Sequence, residues 1–380
     1  MQAADLPAPR FTGMQSCASS GCHGGALQGQ VQTWHTLDSH NAESSAILNT
    51  AQSRNIGRVL ESAGVTTDTR CTECHAPFRS LPDAHFVPAA LPKPEKSGMR
   101  EMHSGVSCES CHGPAERWLL THTRKEVPDD QLAALGLRDL RTLYGRANSC
   151  VACHLNLDPA LIRAGHPELN FELDGQMRRE PPHWQEIEDP WLGPRAWLSG
   201  QATALREMSW RLGQAPEDPA LRSRWQGLRW LLRLAPGGAS KFAGTGTLGS
   251  TQADADALAR AASAKTWTGR ETLQFMEKLT AQDAAFDDKA TPPEEHFRRA
   301  QAVTLALDRL WANFKERGAA SPEADKAIAG TATLVKANPA KFEYAQFAGA
   351  LRLIKGEMKV AEASIENAIK GGGVKATAGR

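Results

Sequence analysis

Apolar residues recur at helical spacing through the second half of this 380-residue chain. Leu221, Trp225, Leu228 and Leu232 follow at steps of four and three, which predicts a helix with one buried stripe. Ala300, Val303, Leu307, Leu310 and Phe314 predict another. It opens at Thr291-Pro292-Pro293-Glu294, where Thr can cap, Pro suits the first turn and Glu completes a capping box. Gly318 is expected to stop it. Tyr344, Phe347, Leu351, Ile354 and Met358 repeat the pattern, and further helices are expected over 194–213, 268–285 and 322–337. Stripes of this kind can line a cofactor, but at this spacing they are far more often the core of a helical bundle, and we read them so. Residues 235–251, rich in Gly, Ser and Thr, read as a flexible loop, and 371–380 as a frayed tail.

Before Trp184 the pattern changes. Periodic segments are short, Gly, Pro, Ser and Asn are frequent, and strand signals are weak. Short helices are expected around 31–51, 52–63 and 114–122. Eleven of the twelve histidines lie in this part; His296 alone follows it and reads as a solvated helix residue. The expected fold class is mainly α: a histidine-rich domain over 1–185 with little regular structure, a helical bundle over 186–370, and the tail 371–380.

The eight cysteines all fall in four units that end Cys-His. They are Cys17-Ala-Ser-Ser-Gly-Cys22-His23, Cys71-Thr-Glu-Cys74-His75, Cys108-Glu-Ser-Cys111-His112 and Cys150-Val-Ala-Cys153-His154. Cys-x-x-Cys-His is the attachment signature of c-type haem: two thiols add across the vinyl groups and the next residue offers a neutral imidazole to the iron. A disulfide framework gives no reason for a histidine after every second cysteine. Structural zinc shares its ligands between two such pairs and asks for no adjacent histidine. A redox Cys-x-x-Cys is usually single and sits in a βαβ context that is missing here. The expectation is four c-type haems, held by Cys17, Cys22, Cys71, Cys74, Cys108, Cys111, Cys150 and Cys153, with His23, His75, His112 and His154 as proximal iron ligands. The first unit has four residues between its cysteines, but Ala18, Ser19, Ser20 and Gly21 are small enough to bulge, so it counts as a haem site.

Haem is joined to cysteine outside the cytoplasm, so a periplasmic or extracellular location is expected. The first residues lack the apolar core of a signal peptide and read as a mature N-terminus. No apolar run is long enough to span a bilayer, which leaves a soluble or peripherally attached protein. A formal net charge of +1 argues against nucleic acid as a partner.

Eight histidines are left for the second face of each iron. His40 is preferred over His35 as a ligand, because five helical residues put the two rings about 140° apart and only one can face a given haem. His122 follows the Gly113-Pro114 turn. His166 and His183 sit beside rigid turn residues, in Gly165-His166-Pro167 and Pro182-His183-Trp184. His40, His122, His166 and His183 are therefore the expected distal ligands. His85 and His103 are second-tier, and Met99 or Met102 could ligate instead, which would raise that haem's potential.

Trp34 with Ser39-His40, the string Gly105-Val-Ser-Cys-Glu-Ser-Cys-His-Gly-Pro114 with His122, and Cys150-Val-Ala-Cys-His-Leu-Asn156 resemble the tetrahaem cytochrome c-554 family over roughly residues 14–155. The Gly105–Pro114 string is the specific part. The resemblance implies helical haem packing, stacked haem pairs and periplasmic electron transfer. It also implies that His40 and His122 are distal ligands and that the haem on Cys71–His75 can be five-coordinate. The chain departs from the family in its longer first loop, in the extra ligand candidates of 164–184, and in its helical second half.

Electron transfer between redox partner proteins is the leading reading, since a six-coordinate haem has no place for a substrate and bis-imidazole ligation gives low or middling potentials. A redox enzyme acting on a small nitrogen or sulfur compound at one open haem is the alternative. A subunit of a haem polymer is the third. Whether the chain is an enzyme, forms oligomers or joins a membrane complex is open at this point.

Overall fold

The computed structural model describes residues 7–25, 29–88, 105–155, 157–185, 188–336 and 339–371. The chain is mainly α-helical; among the described residues the extended pairing consists of one isolated parallel bridge, Phe11 with Phe86. Two compact units emerge, one within Met1–Asn170 and Gln176–Ile187, the other within Phe171–Gly175 and Glu188–Arg380.

The first unit carries short helices: α1 (Gln30–Leu37), α2 (Ala42–Ala46), α3 (Ala51–Val59), α4 (Thr69–His75), α5 (Cys108–His112), α6 (Asp129–Ala134), α7 (Leu143–His154) and α8 (Pro159–Arg163). The helix expected over 31–51 is broken, because Asp38 turns extended and its carboxylate accepts the His40 backbone N–H at 2.8 Å. Residues 114–122 form hydrogen-bonded turns ending in a 3-10 turn at Thr121–Thr123. Apolar packing here is divided among small clusters: Ile56, Leu161 and Ala164; Phe78 and Phe86; Ala115, Trp118 and Leu132. Polar ties join them. The segment around Arg10–Gly13 docks on Glu109 and Glu116 through backbone N–H donors.

Helix α9 (Leu173–Arg179) begins in the second unit, where Phe171 and Leu173 are buried and Gln201 Nε2 donates to the Phe171 carbonyl at 2.7 Å. The bundle follows as α10 (Leu192–Gln214), α11 (Pro219–Leu234), α12 (Leu248–Ala264), α13 (Gly269–Thr280), α14 (Asp283–Phe286), α15 (Pro293–Glu316), α16 (Pro322–Leu334), α17 (Tyr344–Val360) and α18 (Glu362–Ile369). Its starts follow local chemistry. Asp218 and Ser321 cap helices whose first residue is proline, and Thr268 with Glu271 forms a capping box. The stripe Ala300, Val303, Leu307, Leu310 and Phe314 is fully buried, and α15 ends in a Schellman turn: Ala319 N–H reaches the Phe314 carbonyl and Gly318, at φ +90°, reaches that of Lys315.

Three expectations fail in this unit. The capping box at Thr291–Glu294 does not form: Pro292 is the N-cap, Thr291 donates to Asp288 Oδ2, and Glu294 pairs with Arg298. His296 is buried, not solvated; it stacks on Tyr344 at 5.0 Å and its Nε2 donates to the Asp288 carbonyl at 2.8 Å. The expected loop 235–251 ends early, because Thr247 caps α12. That helix buries Ala255, Leu258, Ala259 and Ala262 and lies so close to α10 that Ser199 Oγ donates to the Ala259 carbonyl. Small residues permit that approach but give a weak apolar signal in sequence.

Candidate functional site

Three of the four Cys-His units end a helix. In α4, α5 and α7 the cysteines stand at i and i+3 and the histidine at i+4, so all three share one helix face. Asp68 caps α4 and Thr142 caps α7, while Gly113 ends α5 at φ +86°. A side chain at Gly113 would meet the Gly136 carbonyl oxygen at 2.4 Å, which is why this turn needs glycine. The first unit reaches a related end by turns: its longer loop folds back until the His23 N–H meets the Cys17 carbonyl at 3.1 Å.

Units distant in sequence influence one another. The Cys108 thiol has the largest effect on that of Cys17, and the Cys153 thiol on that of Cys74, so the first unit lies near the third and the second near the fourth. Burial pushes Cys111 and Cys150 up to about 12.

Three of the four unit histidines have another imidazole beside them. His23 stacks with His122 at 6.2 Å between ring centres, His154 meets His40 at 6.0 Å, and His75 meets His166 at 6.5 Å. Burial lowers His112 to about 4, and its nearest charged neighbours in effect are His183, then His23 and His122. Burial likewise lowers His75, with His166 second, and His154, with His40 second. Neutral imidazole is the form that binds a metal.

The second nitrogen of most of these rings is already engaged. Nδ1 donates to the Ser44 carbonyl from His75 (3.2 Å), to the Trp118 carbonyl from His122 (3.3 Å), to the Pro167 carbonyl from His166 (2.8 Å) and to the Pro181 carbonyl from His183 (3.4 Å). A carbonyl only accepts, so the proton sits on Nδ1 and Nε2 is left as the ligating atom. His40 Nδ1 lies 2.9 Å from Asp38 Oδ1, and that bond raises its pKa against the opposing effect of burial. Asp38, His40 and Glu180 place ligand-capable atoms within 4.8 Å of one another; with Nδ1 bound to Asp38, we read the two carboxylates as the polar surroundings that orient this imidazole.

These residues fit an axially held iron. The three imidazole pairs, with ring centres 6.0 to 6.5 Å apart, would leave room for a metal ion held between them. His35 and His85 are exposed. His103, Met99 and Met102 lie outside the described residues. Asp38, Glu180 and the Ser44 carbonyl were not legible beforehand; only an aspartate two residues before a histidine, an Asx-turn signal, pointed to the first.

The string Gly105–Pro114 also gains a physical account. Gly105, at φ +106°, passes so close to Asn41 that a side chain would lie 2.1 Å from its carbonyl oxygen. Val106 N–H then bonds to the His40 carbonyl, and its own carbonyl accepts Trp34 Nε1. The third attachment unit is thereby tied to the segment that carries His40.

Asp68 gives a pH test of the second unit. The Arg70 guanidinium and the α4 N-terminus hold its carboxyl down to about 2. The folded value lies below an unfolded value of about 3.9, so the stabilisation is present above pH ~4 and is lost as pH falls toward 2. Asp68→Asn is expected to cost about 1–2 kcal/mol at pH 7 after allowance for solvent screening. Thermal melts of parent and variant should converge near pH 2; a gap that persists there would exclude this cause.

Residues 16–113 match the sequence model of the family described as cytochrome c554 and c-prime. A cytochrome c-554 of Nitrosomonas europaea is 30% identical over 166 residues, 41% of this chain and 61% of that protein. The chain thus spans less than two thirds of the length of this relative. No solved structure matches it. No described helix is long and apolar enough to cross a membrane. The stretch bearing the first three Cys-His units is similar to the cytochrome c-554 family, and the resemblance is a partial one, its family match ending at residue 113.

Proposed function

We propose that this chain is a periplasmic multihaem c-type cytochrome that carries electrons between redox partner proteins. Four haems are attached through Cys17/Cys22, Cys71/Cys74, Cys108/Cys111 and Cys150/Cys153. His23, His75, His112 and His154 are the proximal ligands, opposed by His122, His166, His183 and His40 respectively. When bound, the haem supplies one-electron chemistry. The chain's own groups fix the imidazoles: Trp118, Ser44, Pro167 and Pro181 carbonyls each hold an Nδ1 proton, and Asp38 orients His40. The porphyrins supply the apolar contacts that join the small clusters of the first unit. The bundle from about residue 186 onward is a haem-free domain that docks a partner.

The observation that carries this reading is the second imidazole beside His23, His75 and His154. It bears most on the Cys71–His75 site, the one that the family resemblance implies can stay open: His166 lies 6.5 Å from His75 there. That favours a carrier over an enzyme. Intact mass is expected to show four haems, and electron paramagnetic resonance of the oxidised protein only low-spin iron. Three haems would remove the first unit from the set. A high-spin ferric signal would turn the reading toward an enzyme, with the open iron on His75.

A further inference from the structure

The bundle holds a cationic cavity that no part of the haem reading uses. It measures about 180 Å³ and is lined by Trp225, Arg229, Trp230 and Arg233 of α11 and by Glu295 and Arg299 of α15, with Phe242 at one side. The α11 residues recur at i, i+4, i+5 and i+8 and so face one way. The two helices close on each other beside the cavity, where Gly227 meets Arg298 so tightly that a side chain would lie 2.9 Å from its Cβ. Three guanidinium groups thus face one carboxylate, and Glu295 is already paired with Arg299.

Arg229 Nη2 donates to the Gly244 carbonyl at 2.6 Å, and Arg229 and Arg299 stand over the Trp225 and Trp230 rings at 5.8 and 5.2 Å. These contacts hold the groups still and leave their inner edges unanswered. The buried Nε atoms of Arg229 and of Arg299 have no acceptor among the described residues. Burial, and after it the charge of Arg233, disfavours the Arg229 cation, and the charge of Asp254 offsets part of this. Convergent guanidinium N–H donors with surplus positive charge are the chemistry that recognises oxyanions.

We propose that this cavity binds a small, doubly charged oxyanion of the phosphate or sulfate class. A dianion would balance the positive charge that Glu295 leaves over among the three lining arginines and accept from guanidinium N–H groups that face the cavity. The cavity is half open and has room for such an ion with part of its hydration.

The test is isothermal titration of the full-length haem-loaded protein with inorganic phosphate, against chloride at matched ionic strength. One saturable site is expected, with sulfate competing for it. Arg229→Gln and Arg233→Gln should each weaken it by roughly tenfold or more, the value of one charge-assisted hydrogen bond. Arg233 is exposed, so its variant keeps the fold, which an unchanged helical circular dichroism signal and haem spectrum would verify. No saturable binding, or an affinity that both variants leave unchanged, overturns the proposal.

Discussion

His122→Ala is expected to turn one haem iron high-spin and let it bind carbon monoxide when reduced, while the other three stay low-spin. His122 and His23 lie nearly parallel, 18° apart in plane. The His122 ring is fixed by its Nδ1 bond to the Trp118 carbonyl and by edge contact with the buried Trp118 indole. Alanine removes the only nitrogen this segment offers to the His23 iron. With four haems, as proposed, about a quarter of the haem absorbance should respond. His85→Ala is the control, since that side chain is exposed; it should leave the spectrum unchanged. A His122→Ala protein that stays fully low-spin and inert to carbon monoxide would show that His122 is not a ligand.

What was legible in the sequence depended on how local its cause is. A Cys-x-x-Cys-His unit is legible because i, i+3 and i+4 share a helix face, a property of five residues. The bundle stripes were legible for the same reason, and Phe347, Leu351, Ile354 and Met358 are buried along one helix. Which histidine meets which unit is not local. His166 reaches His75 only because α8 packs through Leu161 and Ala164 on Ile56, a contact that no spacing announces. His40 shows a nearer limit: its position was weighed as part of a helix, but Asp38 captures its N–H and ends the helix first. At Thr291 an equally good capping signal lost to Asp288, which took the hydroxyl. Helix α12 escaped because its buried face is built largely of alanine, while His296 looked solvated until Tyr344, some fifty residues later, covered it.

Glu109→Ala should be the most destabilising single change in the first unit. Glu109 sits between the cysteines of the third attachment unit and is 1% exposed. Its carboxylate accepts the Thr12 N–H at 2.9 Å, the Gly13 N–H at 2.7 Å and the Ala115 N–H at 2.7 Å. It therefore ties the segment entering the first unit to the turn leaving the third. Alanine strands three backbone donors. At about 1–3 kcal/mol for each buried group left unpaired, a loss of about 3–5 kcal/mol is expected, a large share of the roughly 5–15 kcal/mol that holds a domain folded. Glu109→Gln tests whether charge or shape matters. Its amide would put N–H donors against N–H donors, so it should recover less than half of the loss. Denaturant melts of the haem-loaded variants, followed by far-ultraviolet circular dichroism, measure both. If Glu109→Ala falls within 1 kcal/mol of the parent, on the order of an exposed polar contact, these hydrogen bonds do not hold the first and third units together.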